Sequence, residues 1–201
     1  MTDPATGTAG FAGEIAERGE ERALGFWIYL MSDAVIFALL FATYVVMLRG
    51  TDGGPTGSEL FSLPRAFGET LLLLVSSTTF GFAALAARTG DRVRTILFLG
   101  LTFVLGAAFL VLEIGEFRGM IAVGAGPDRS GFLSAFFTLV GTHGLHVGVG
   151  LLSIAVMAGQ VLGKGLTAPV LSRLGRLGLF WHFLDIVWIG IFSVVYLPGV
   201  L

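Results

Sequence analysis

His182 and Asp185 stand three residues apart in the charge-poor stretch Leu177 to Leu201. On a helix they share one face. The stretch is long enough to cross a bilayer, which takes ~20 apolar residues. An acid at the centre of such a span costs about 2.5–3.5 kcal/mol on insertion scales, so the pair is expected to face protein rather than lipid. The same situation recurs elsewhere. Asp33 lies ten residues into an apolar run, with Tyr29, Leu30, Phe37 and Leu40 as helical neighbours. It is either a hydrogen-bonded link to another helix or a proton-relay group. Glu113 and Glu116 also share a face. Paired carboxylates bind a cation or hold protons; near the interface they are solvated or paired with Arg118. His143 and His146, in GTHGLHV, share a face as well.

Two imidazoles and a carboxylate suit a metal, and axial histidines from facing helices suit a haem. The chain has only three histidines, and His182 is expected in the inner half of the membrane, with the other two central or in the outer half. Hydrogen-bonded helix glue is therefore the expected role, with His143 pairing Glu113 or Glu116 as the specific hypothesis. Trp181, Asp185 and Trp188 fall on one stripe, which serves either lipid contact or packing. Motifs for nucleophilic, zinc-peptidase or phosphate chemistry are absent, and so is cysteine. No catalytic, cofactor-binding or metal site is assigned.

Residues that are 55% hydrophobic and only 13% charged make an integral membrane protein. The net charge of −2 gives no reason to expect nucleic-acid binding. The predicted fold is all-α, a five-helix membrane bundle. A polar segment at 1–22 precedes a membrane domain at 23–201, with spans at about 23–48, 67–87, 95–117, 132–161 and 177–199. The polar segment has no apolar core, so the first span is expected to direct insertion without a cleaved signal. The connections hold Gly53, Gly54, Pro55 and Gly57, then Gly124, Gly126 and Pro127, then Pro169. Placing the amino terminus inside puts Arg18, Arg22, Arg88, Arg92, Arg94, Lys164, Arg173 and Arg176 on the inner face. Arg49, Arg65, Arg118 and Arg129 then lie outside, and the eight-to-four excess favours that orientation, with the carboxy terminus outside. Gly144-x-x-x-Gly148 fits close helix contact.

Three stretches together carry a resemblance. Phe180 to Trp188 is similar to W-H-F-x-D-x-V-W, Gly141 to Val147 to G-x-H-G-L-H-V, and Glu113 to Phe117 to [QE]-x-x-E-[YF]. In this order they resemble subunit III of the haem–copper oxidases, from about Gly25 to the end. The opening Gly25 to Asp33 resembles the cytochrome bo-type ubiquinol oxidases; cytochrome c oxidase relatives usually carry glutamate at the position of Asp33 and often two further helices before it. The resemblance implies a non-catalytic subunit of a proton-pumping quinol oxidase in a bacterial inner membrane. Haem and copper would lie in subunit I, the main partner, with subunits II and IV and bound phospholipid alongside. Assembly, stability and lipid retention are the implied roles. Competing expectations are a subunit III of a cytochrome c oxidase, an accessory subunit of a nitric oxide reductase, or a proton-coupled transporter using Asp33 and Asp185.

Overall fold

The computed structural model describes the backbone of residues 4–200 and the side chains of residue 21 and residues 23–199. The regular elements among the described residues are all helical, without a strand. The elements are α1 (Pro4–Met47), α2 (Gly57–Leu60), α3 (Leu63–Arg88), α4 (Arg92–Ala122), α5 (Gly131–Lys164) and α6 (Ala168–Ile191), then a π-helical turn (Phe192–Tyr196) and α7 (Leu197–Val200). Five stretches are long and apolar enough to span a bilayer: Ala23–Met47, Leu63–Arg88, Arg92–Ala122, Gly131–Lys164 and Ala168–Gly199.

The chain forms two compact units, Met1–Ile36 and Phe37–Leu201. The first is the leading part of α1, a helix that runs unbroken from Pro4 through the segment read as a separate polar tail. Leu30 and Asp33 are its buried side chains, while Trp27, Ile28, Met31 and Val35 are exposed. In the second unit α3 packs on α4 and α6, α4 on α5, and α5 on α6, so the four helices close a ring. The end of α1 joins it through Phe37, whose ring meets His146 and Phe183, and Tyr44, which meets Phe132.

Local chemistry sets the boundaries. Thr89 closes α3, and Gly90 turns the chain at φ +79, a conformation that a residue with a Cβ resists. Asp91 then caps α4 by accepting the Arg94 N–H at 3.0 Å. Ser130 caps α5 through the Leu133 N–H. Three boundaries depart from the sequence reading. The last span starts at Ala168, nine residues before Leu177, because Pro169 sits in its first turn, where its missing N–H leaves nothing unsatisfied. Pro64 does the same for α3, which carries Arg65 and Glu69 inside the helix. Likewise α4 continues past 117 to Ala122.

The outward faces of α4 (Leu97, Val104, Val111) and α5 (Leu145, Leu152, Val156) are apolar and exposed. Glu69, Glu113, Glu116 and His143 turn inward, as a lipid solvent requires.

Candidate functional site

Buried polar groups run along the α3 side of the ring in three sets. At one end α3 and α4 share an ionic network. Pro64 starts α3 so that Arg65 and Glu69, four residues apart, lie on one face. Arg65 Nε is 3.5 Å from Glu69 Oε1, and its Nη2 donates to the Leu112 carbonyl oxygen at 2.5 Å. The guanidinium can lie across α4 there because residue 115 is glycine; a Cβ on it would stand 3.4 Å from Arg65 Nη2. Glu113 and Glu116 rise from the same stretch of α4, and both are buried. The Tyr196 hydroxyl, delivered by the π-helical turn, donates to Glu116 Oε2 at 3.4 Å. π-turns of this kind often re-aim one side chain at a functional position. Glu69 and Glu113 are 0% and 2% exposed, and neither carboxyl accepts a hydrogen bond. Gly144 makes room for Glu113: a Cβ there would lie 2.8 Å from Glu113 Oε1. Glu69 and Glu116 thus share one arginine, with Glu113 buried beside them.

In the middle, His143 is fully buried with no hydrogen bond on either ring nitrogen. It lies against Trp188 at 5.3 Å between centroids and meets the edges of Phe37 and Phe109. Trp188 Nε1 donates to Thr70 Oγ1 at 3.0 Å.

The third set ties α6 to α3 and α4. Trp181 Nε1 donates to Ser76 Oγ at 3.2 Å, and Ser76 donates to the Thr102 carbonyl oxygen. The Thr79 and Thr102 hydroxyls are 2.8 Å apart. Beside them Ser77 Oγ is 2.6 Å from His182 Nδ1, and Asp185 shares Ser77 as a partner. The register is antiparallel: Thr70 faces Trp188, and Ser76 faces Trp181.

The structure therefore keeps His182 with Asp185, but through Ser77, which the sequence reading did not single out. It keeps Glu113 with Glu116 and adds Glu69, Arg65 and Tyr196. Solvation or pairing with Arg118 is replaced by burial beside Arg65, because α4 runs on for another turn past these acids. The expected His143–glutamate pair is not formed, since aromatic rings surround the imidazole. His146 turns instead to its own helix, with Nδ1 2.7 Å from the Thr142 carbonyl oxygen. Asp33 is buried and bonds Tyr29 one turn away. The tryptophans offered as lipid contacts are inside: Trp181 and Trp188 are 2% and 0% exposed, their indole N–H groups spent on α3.

The signals for the missed residues are present in the sequence. Arg65 and Glu69 sit four apart just after a helix-starting proline. Two tryptophans seven apart need two acceptors at matching depth, and Thr70 and Ser76 supply them. Among the described residues no group of three or more His, Cys, Asp or Glu is placed to hold a metal ion. The histidines are each engaged otherwise: in aromatic packing, with Thr142, and with Ser77.

The scaffold and its buried polar pattern can be set against known proteins. Residues 9–200 match the family described as cytochrome c oxidase subunit III. The chain belongs to that family. Within it, the chain is 55% identical over 185 residues to the cytochrome bo(3) ubiquinol oxidase subunit 3 of Pseudomonas aeruginosa, covering 92% of this chain and 88% of the relative. Identity to the protein of the same name in Pseudomonas putida is 52% over 185 residues, covering 92% and 89%. A cytochrome c oxidase subunit 3 from Bacillus sp. is 44% identical over 181 residues, covering 90% and 87%. This membership gives the oxidase-subunit reading its footing and leaves the stand-alone transporter unsupported.

Proposed function

We propose that this chain is the third, non-catalytic subunit of a proton-pumping terminal quinol oxidase of the cytochrome bo type, a ubiquinol:oxygen oxidoreductase of a bacterial plasma membrane. The observation that carries this is the 55% identity, across 92% of the chain, to a subunit named for a ubiquinol oxidase. Haem and copper in a companion subunit I supply the redox chemistry; subunits II and IV complete the complex. The work of this chain is mechanical. Indole–hydroxyl bonds and the Arg65 network lock α3, α4 and α6 in register, giving the companion a rigid surface. Each interhelical hydrogen bond in a membrane contributes roughly 0.6 kcal/mol, so it is the set that matters. The basic residues favour an inside amino terminus and an outside carboxy terminus.

Lipid retention fits a mostly apolar groove of ≈ 500 Å³ between α4 and α5, lined by Leu110, Phe117, Gly141, Gly148 and Leu152, where two glycines leave room for an acyl chain. Asp33 is the acid we assign to any proton-linked role.

The test is purification of the tagged chain from its native membrane. Co-elution with a haem-bearing polypeptide, and ubiquinol oxidation by the eluate, support the reading; elution alone sinks it. The 44% identical cytochrome c oxidase subunit favours a second reading, in which the donor is cytochrome c. Reduced cytochrome c offered to the same eluate decides between them.

A further inference from the structure

Glu113 ends where nothing offers its carboxyl a positive charge. It is 2% exposed, and neither carboxyl oxygen has a hydrogen-bond partner. It lies 21 residues after Arg92 and nine before Ala122, about 31 Å and about 13 Å from the two ends of α4. On the α5 side the carboxyl rests against Gly144, in the space that a Cβ would fill. His143, next to Gly144, does not pair with it. Both its ring nitrogens lack a partner, and the ring lies among Phe37, Phe109 and Trp188. The charged groups that act on Glu113 are Glu69 and Glu116, both acids.

Arg65 relieves only part of this. Its Nε is 3.5 Å from Glu69 Oε1, and its charge also reaches Glu116. The described ion pairs are Arg65–Glu69 and Arg94–Asp91, so Arg118 does not pair with Glu116. Tyr196 adds a neutral O–H donor to Glu116. One guanidinium therefore meets three carboxyls, two of them on α4 and one on α3. Fully ionised, the cluster would hold two uncompensated negative charges inside the bundle. A buried charge without a partner neutralises rather than persisting, and two carboxylates in one site do not both stay ionised. A metal ion does not meet the need. Among the described residues no group of three or more His, Cys, Asp or Glu is placed to hold one. A proton requires no such convergence, since it binds one carboxyl or bridges two.

We propose that this cluster is a site for two resident protons, one carried by Glu113 and one shared by Glu69 and Glu116 beside Arg65. The protons serve as counter-charge. They let α3, α4 and the terminal turn close on three acids without a metal. They stay in place, and so are separate from any proton movement through Asp33. All the groups involved lie in this chain, so the inference stands apart from the oxidase-subunit reading.

The experiment is infrared difference spectroscopy on the complete complex, purified from its native membrane through a tag on this chain. The carbonyl stretch of a protonated carboxyl is resolved from carboxylate bands and shifts in D2O. We expect wild type minus Glu113→Gln to show one protonated-carboxyl band lost and no carboxylate lost. Glu113→Leu should give the same result. Glu69→Gln and Glu116→Gln should each remove one protonated band and no carboxylate, because the remaining acid stays ionised beside Arg65. The double variant should lose one carboxylate as well. Loss of carboxylate intensity from either Glu113 variant overturns the site. Loss of a carboxylate from both single variants of the pair overturns the shared proton. Failure of Glu113→Gln and Glu113→Leu alike to assemble also overturns it, because a neutral carboxyl without a hydrogen bond holds nothing in place.

Discussion

Adding one methyl group at Gly150 should loosen the whole ring. A Cβ there would stand 2.8 Å from Trp181 Cζ3 and 3.0 Å from Cε3. Carbon atoms in contact sit ~3.5–4.0 Å apart, so the indole would have to move by about 0.7 Å. Its other edge is blocked: a Cβ on Gly106 would meet Cη2 at 2.8 Å, so the ring already occupies the notch that glycine leaves in α4. Nor can it tilt freely, because Nε1 is held by Ser76 at 3.2 Å. Overpacking a filled site of this kind costs ~1–3 kcal/mol. Gly→Ala also stabilises a helix intrinsically, by ~1 kcal/mol, which would obscure the result in a single variant. Gly159, on the same helix, has nothing within 4 Å of its Cβ position. Gly159→Ala therefore receives the propensity gain alone, and the difference between the two variants isolates the packing term. At ~2–4 °C per kcal/mol for a chain of this size, Gly150→Ala should melt ~2–12 °C below Gly159→Ala in thermal scans of the purified complex at one fixed rate. Trp181→Phe should recover part of the loss in the double variant, because a smaller ring clears the new methyl. Equal melting of the two alanine variants would refute the wedge.

Arg65→Ala should destabilise the complex, since it leaves the buried Glu69 and Glu116 carboxyls without their cation. The loss should fall below the ~3–5 kcal/mol of a fully buried pair, because the Arg65 side chain is 39% exposed. Glu69→Gln in the same chain should restore much of it, as read by detergent-induced release of the subunit. His143→Phe should leave thermal stability and the haem difference spectrum of the complex unchanged or slightly improved, because the imidazole makes no hydrogen bond and aromatic rings enclose it; a lost haem band would contradict that. Asp33→Asn should shorten the turnover lifetime or lower the proton yield of the reconstituted complex, and unchanged values for both would remove Asp33 from any proton-linked role.

Much of this was legible in the sequence because a bilayer leaves few choices. Apolar runs of ~20 residues must be helices, and acids and imidazoles inside them must be sheltered by protein. That turns His182 and Asp185 toward protein before any coordinates, whereas Glu113 and Glu116 read as solvated or paired with Arg118 and are buried instead. Their partners were harder to find, because partnership depends on register between helices far apart in sequence. Nothing local says that Ser77 meets His182 across 105 residues, or that Tyr196 turns toward Glu116 through a π-helical turn. Charge also misled at the boundaries. Arg65 and Glu69 read as the edge of a span, whereas Pro64 makes them its first turns. The tryptophan stripe left lipid contact and packing both open, because indoles also favour the interface. Their indole N–H groups instead found Thr70 and Ser76, and a buried N–H with an acceptor outweighs that preference.

The central claim is that this chain is a structural companion of a haem-bearing oxidase. Its most direct test is a redox difference spectrum of the complex purified through a tag on this chain, taken beside the same preparation from a strain whose chain carries Gly150→Ala and Arg65→Ala together. The account predicts haem bands in the first and a loss of co-purified haem in the second, with the remaining oxidase inactivating faster during turnover. A tagged chain that elutes without haem would contradict it.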